Sequence, residues 1–179
     1  MASPVLAAHS AAGYLTIREL RPADVTRAYV NWMNDIEVVR YTEQRQITHT
    51  TSSVEAFVKE KHLSSVDFLF GIFVEDQHIG NVKLGPLVPH HRRADISYIV
   101  GKKDYWGQGV ASASVLAVVK FGFTTLSLDK ICAGCLANNT ASLCVLKKCG
   151  FEQEARLQKQ FFIDHERVDQ ILFGLLRKH

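Results

Sequence analysis

Residues 96–114 read Ile96-Ser-Tyr-Ile-Val-Gly-Lys-Lys-Asp-Tyr-Trp-Gly-Gln-Gly-Val-Ala-Ser-Ala-Ser114. A strand-like run enters a glycine-rich turn, and the turn opens an apolar helix. The first turn of a helix carries unpaired N–H groups and the positive end of the dipole. Glycines let that backbone approach a bound group closely, so the pattern describes a seat for phosphate or pyrophosphate. It is not G-x-x-x-x-G-K-[ST], and Gly107-x-Gly109-x-x is followed by Ser112 where G-x-G-x-x-G needs glycine. No early βαβ unit starts the chain, which also weighs against a dinucleotide fold. The bland alternative is a turn whose glycines only allow tight packing.

Working outward, residues 14–20 alternate as a strand, and Asp24 is read as the cap of a first helix carrying Val25, Ala28, Tyr29, Trp32 and Met33. A second helix covers 48–63. Strands follow at 68–74, 79–88 and 94–100, with Glu75-Asp76-Gln77 as a hairpin turn. After the glycine-turn helix come a strand at 128–137, a helix at 140–148, a strand at 151–160, a turn at 163–166 and a strand at 168–176. The order β-α-α-β-β-β-α-β-α-β-β predicts a mixed α/β sheet. Residues 1–13 are expected as a flexible, frayed tail before one domain spanning 14–179.

Composition narrows the function. The chain has 179 residues, 47% hydrophobic and 22% charged, with a net charge of +3. A chain this long builds a sizeable core without staples. The mild, scattered charge argues against nucleic acid as a partner. No run of about 18 apolar residues predicts a membrane helix. Cys132 and Cys135 form a C-x-x-C, but residues three apart on a strand face opposite ways, so no metal is expected. Free thiols fit a reducing cytoplasm.

Three blocks together resemble the GCN5-related N-acetyltransferase (GNAT) superfamily, in particular its ribosomal-protein N-terminal acetyltransferase and amino-sugar acetyltransferase branch. The first is Trp106-Gly107-Gln108-Gly109-Val110-Ala111, similar to the acetyl-CoA loop [Q/R]-x-x-G-x-[G/A], with Trp106 standing where Gln or Arg is usual. The second is Asn139-Thr-Ala-Ser142 followed by Lys147-Lys-Cys-Gly-Phe151. The third is Trp32-Met-Asn34-Asp35-Ile-Glu-Val38. The resemblance covers roughly residues 14–177. It implies a mostly antiparallel sheet of about seven strands with about four helices, splayed between the fourth strand and the fifth.

The resemblance also implies the chemistry: transfer of acetyl from acetyl-CoA to an amine by direct attack in a ternary complex, with no metal. Backbone at Ile99 and Val100 would serve the thioester oxygen and the pantetheine arm. The N–H groups from Gln108 through Gly109, Val110 and Ala111 to Ser112 would hold the pyrophosphate. Asn139 would contact the pantetheine amides, or simply cap its helix. Asp95 stands where many relatives carry a glutamate and is the candidate base, through water or directly; alternatively it pairs with Arg92 or Arg93. The family's acid tyrosine falls on Leu146, which has no proton to give, so Ser142 is the candidate at the sulfur, against a packing role.

On the acceptor side, Trp32 offers a flat wall and Asn34 and Asp35 polar contacts; the alternative places Trp32 in the core and the other two at a helix end. Lys83 either meets an anionic group or lies on a solvated strand face. The expected acceptor is a nucleotide-linked amino sugar or another small amine. A protein N-terminus is the second reading, and a non-catalytic acyl-CoA sensor the third. A monomer and a homodimer are both compatible with the sequence.

Overall fold

The computed structural model describes residues 4–178. Its elements are β1 (Val5–Ser10), β2 (Gly13–Glu19), α1 (Arg27–Met33), α2 (Ile36–Val39), α3 (Thr51–His62), β3 (Phe68–Val74), β4 (Gln77–Val88), β5 (Arg93–Val100), α4 (Val110–Thr124), β6 (Lys130–Leu136), α5 (Thr140–Lys148), β7 (Glu152–Ile163) and β8 (Glu166–Leu176). The strands form one mixed sheet in the order β1-β2-β3-β4-β5-β6-β8-β7. That is an α/β fold with one strand more than expected.

The extra strand is β1, in the stretch expected to fray. It pairs antiparallel with β2 from Val5↔Arg18 to Ser10↔Gly13, across a turn closed by Gly13 at φ +100°. Leu6 and Ala8 pack against the main core. Small residues such as Ala7 and Ala8 carry little strand signal of their own, so the pairing is set by β2 rather than by local propensity.

The first helix also starts later than predicted. Thr26, not Asp24, is its cap, with the hydroxyl accepting from the Tyr29 N–H at 3.2 Å. Asp24 instead sits in a short 3-10 turn and grips the Arg18 guanidinium through both carboxylate oxygens, at 2.9 and 2.7 Å.

All pairs from β1 to β5 are antiparallel. β5 and β6 run parallel and meet over only three residues, Arg93↔Lys130, Ala94↔Ile131 and Asp95↔Cys132. Beyond Asp95 the strands part. β5 continues on β4 to Gly80↔Val100, and β6 continues on β8 to Leu136↔Gln170. This is the expected splay. One core joins β2–β6, β8, α4 and α5, with Phe70, Ile72, Val118, Ile131 and Phe173 buried. A second core, of Leu20, Tyr29, Trp32, Val54, Val58, Leu69 and Phe73, fixes α1 and α3 to the opposite face.

Candidate active site

The glycine turn sits at the head of the splay. Gly107 and Gly109 have φ of +74° and +77°, and Gly109 is the residue before α4. A Cβ on Gly107 would meet nothing within 4 Å, and one on Gly109 only the Ser10 side chain at 4.0 Å. The glycines therefore serve backbone conformation and not protein packing. No side chain caps α4, so its first N–H groups, from Val110 onward, face an open cradle. This donor set fits the pyrophosphate of a coenzyme.

Three hydrogen bonds hold the cradle. The Trp106 indole N–H donates to the Val100 carbonyl at 2.7 Å, the Ala11 N–H to the Gln108 carbonyl at 3.0 Å, and the Gln108 side-chain amide to the Asp104 carbonyl at 2.6 Å. The unexpected strand β1 thus leads directly to the turn.

Across the splay, Asn139 caps α5, its Oδ1 accepting from the Ser142 N–H at 3.1 Å. The Ser142 hydroxyl lies 2.7 Å from the Tyr98 hydroxyl. Tyr98 was not singled out in the sequence. Strand alternation gives its face but not its partner on another element. Burial pushes its phenol well above the ordinary tyrosine range. At the far end of α5 the Cys149 thiol points to the Ser112 carbonyl at 3.5 Å, joining this helix to the first turn of α4. Leu146 is buried in the main core. So hydrogen bonds tie the glycine turn to the end of β5 through Trp106 and Val100, the start of α5 to β5 through Ser142 and Tyr98, and the end of α5 to the first turn of α4 through Cys149 and Ser112.

On the other face of β5 lies a cavity of about 570 Å³, between the α1–α3 layer and the sheet. Ser97, Tyr98 and Ile99 line it from the splayed part of β5, and Asn81 and Lys83 from β4. Met33, Thr42, Gln44, His49 and Phe57 close it. Among the described residues no aspartate or glutamate lines it. Lys83 Nζ is 3.5 Å from Asp67 Oδ1, and Asp67 is also held by Lys61 at 3.2 Å. Lys61 is shared with Glu60 at 2.9 Å, so Asp67 balances Lys83, the lysine that lines the cavity.

The expected acceptor residues lie elsewhere. Trp32 is 7% exposed, packs on Tyr29 and His78, and fills the space over Gly101, where a Cβ would collide with its ring. The Asn34 side chain donates to the carbonyls of Val30 and His49 and accepts from the His49 N–H at 2.8 Å. It staples the end of α1 to the segment before α3. Asp35 caps α2 and pairs with Lys103 at 2.7 Å. None of the three lines the cavity; Trp32 packs in the second core and Asn34 and Asp35 bond at helix ends. Asp95 is the last residue of β5 paired to β6. Its carboxylate is half-exposed, with Arg93 at 3.5 Å, and strand alternation puts it on the face of Ser97 and Ile99.

Residues 14–152 match the family model described as acetyltransferase (GNAT) domain. The chain belongs to the GNAT acetyltransferases. An uncharacterized N-acetyltransferase, p20, of Bacillus licheniformis is 30% identical over 170 residues, covering 92% of this chain and 93% of that protein. The spermidine N-acetyltransferase of Vibrio cholerae, solved with CoA and spermine, superposes with a TM-score of 0.81 at 24% identity, over 90% of this chain and 95% of that one. Mycobacterium smegmatis RimJ, solved with CoA-disulfide, gives a TM-score of 0.83 at 21% identity, over 97% and 86%. This GNAT enzyme is an N-acetyltransferase.

Proposed function

We propose that this enzyme acetylates the primary amine of a small molecule that also carries an anionic group, a nucleotide-linked amino sugar being the fitting class. The observation that carries the reading is the cavity beside Ile99: Lys83 reaches it and no carboxylate lines it among the described residues. A polyamine brings several positive charges, and each needs a carboxylate when water is excluded. An acceptor with a phosphate places its anion at Lys83 and its amine toward the splay.

Acetyl-CoA supplies an activated acetyl thioester and a thiolate leaving group. The N–H groups of Gln108 to Ser112 hold the pyrophosphate, and Asn139 the pantetheine amides. The backbone N–H of Val100, which turns away from β4, stabilises charge on the thioester oxygen. Amine deprotonation at pH 7 costs about 4 kcal/mol for a pKa near 10. Asp95 takes that proton through water, since it shares the face of Ser97 and Ile99 but stands outside the cavity lining. Ser142 donates a hydrogen bond to the sulfur. Cradle and cavity flank the same strand, which suits direct attack with both substrates bound.

The test is CoA thiol release from acetyl-CoA against nucleotide-linked amino sugars, aminoglycosides, polyamines, amino acids and N-terminal peptides. Release is expected with phosphate-bearing amino sugars and lost on Lys83→Glu. Preferential turnover of spermidine would overturn the reading.

A further inference from the structure

Asn81 reaches the cavity from β4 and Tyr29 from α1, and both are nearly sealed in the protein, at 6% and 2% exposed. Behind Asn81 sits the His78 imidazole. Its Nε2 lies 2.8 Å from Asn81 Oδ1 and 3.0 Å from the Gly80 carbonyl. A carbonyl only accepts, so Nε2 carries the ring proton. That proton fixes the amide: the oxygen faces His78, and the –NH2 faces away, with two hydrogens that can only be donated. The Tyr29 phenol stands beside this amide. Burial pushes it up to about 12, with the Asn81 N–H acting the other way, so it keeps its proton near neutral pH. Among the described residues the Asn81 nitrogen has no other protein group to donate to. One amide N–H is left for a ligand, and a phenol that accepts from the amide has its own proton left to give. Asn81 is also close to the reaction. It pairs with Ile99, and the next residue, Val100, turns its N–H away from β4 into the splay. Strands lie about 4.8 Å apart, and one residue along a strand is about 3.3 Å. An atom held by Asn81 therefore lies within a few bonds of an amine poised at the splay.

We propose that Asn81 and Tyr29 form a donor pair that binds an oxygen of the acceptor close to its reacting amine, with His78 as the positioning residue that keeps the amide turned donor-outward. This rests on the reading that the cavity holds the acceptor, and it narrows the class. The amine must have a hydroxyl or carbonyl oxygen within a few bonds, as an amino sugar has in the hydroxyl beside its amine. A polyamine has no such oxygen. Its ammonium groups only donate, so they leave the Asn81 N–H unpaired in a nearly sealed site.

The probes are glucosamine phosphate, the same ester lacking the hydroxyl beside the amine-bearing carbon, and spermidine. Each is measured as an acceptor, by kcat/KM, and as a ligand of the enzyme–CoA complex, by calorimetry. The wild type should prefer glucosamine phosphate to its deoxy analogue by about tenfold or more in both readouts. Asn81→Asp keeps the shape of the side chain and the oxygen that His78 bonds, but replaces the donors by a carboxylate. It should erase the preference and raise kcat/KM for spermidine by about tenfold, with KM for acetyl-CoA within about twofold. Tyr29→Phe should narrow the preference without the gain for spermidine, and it decides the matter should Asn81→Asp fail to fold. A further readout needs no acceptor: proton–nitrogen correlation spectra of the His78 ring should place the proton on Nε2. Equal handling of the two sugars by the wild type, or a proton on Nδ1, would overturn the donor pair and leave the phosphate-bearing class standing. A wild type that prefers spermidine, or binds neither sugar, would overturn the class and the donor pair with it.

Discussion

The indole N–H of Trp106 donates to the carbonyl of Val100 at 2.7 Å, so the strand that opens the splay and the glycine turn proposed to cradle the coenzyme are tied together. Trp106 is 44% exposed, which is unusual for so large an apolar ring and leaves the hydrogen bond as its main tie to the protein. Losing a bond of this kind costs about 1 kcal/mol. Trp106→Phe should raise KM for acetyl-CoA about fivefold, with kcat and thermal stability nearly unchanged. A fall in kcat at unchanged KM would show that the tie serves the reaction and not the cradle.

Trp32 makes the opposite prediction. It is buried in the second core and occupies the space above Gly101. Trp32→Ala should lower unfolding free energy by about 3–5 kcal/mol, read from urea midpoints, while the folded fraction keeps its KM for the amine. A large rise in amine KM at unchanged stability would restore Trp32 to the acceptor site.

His78 governs a pH effect on stability. Its imidazole is buried among Tyr29, Trp32 and Phe73, with Nε2 donating to Asn81 Oδ1 at 2.8 Å. Burial holds its pKa below the ordinary 6.5. Below pH 6.5 the unfolded chain takes up a proton that the folded chain refuses. This contribution is complete above 6.5 and is lost as pH falls, by up to about 1.4 kcal/mol per pH unit until the folded imidazole titrates. Urea midpoints between pH 7 and 5 should fall more steeply for the wild type than for His78→Gln. Equal slopes would refute the assignment.

The parts of the site written into contiguous sequence were legible. Gly107 and Gly109 announce a backbone conformation that few residues share, and Asn139 announces a cap three residues before Ser142. The succession of strands and main helices along the chain beyond β1 followed from periodicity and turn residues. What failed were readings that depend on the far side of a contact. Asn34 and Asp35 look alike whether they end a helix or meet a ligand, and only the His49 backbone and Lys103 decide it. Tyr98 was invisible as a partner of Ser142 because 44 residues separate them. The cavity proposed for the acceptor is assembled from α1, α3, the segment between them and β3 to β5, and no local pattern encodes its lining.

Three residue pairs ladder β5 to β6, while β5 follows β4 as far as Val100 and β6 follows β8 as far as Leu136. The sheet is thus two plates that share a short laddered seam and are joined beneath it by the core under α4 and α5. A coenzyme lying along the open part of that seam grips both plates, so its binding energy becomes cohesion between them. The melting temperature should therefore rise with the concentration of acetyl donor in the surrounding solution.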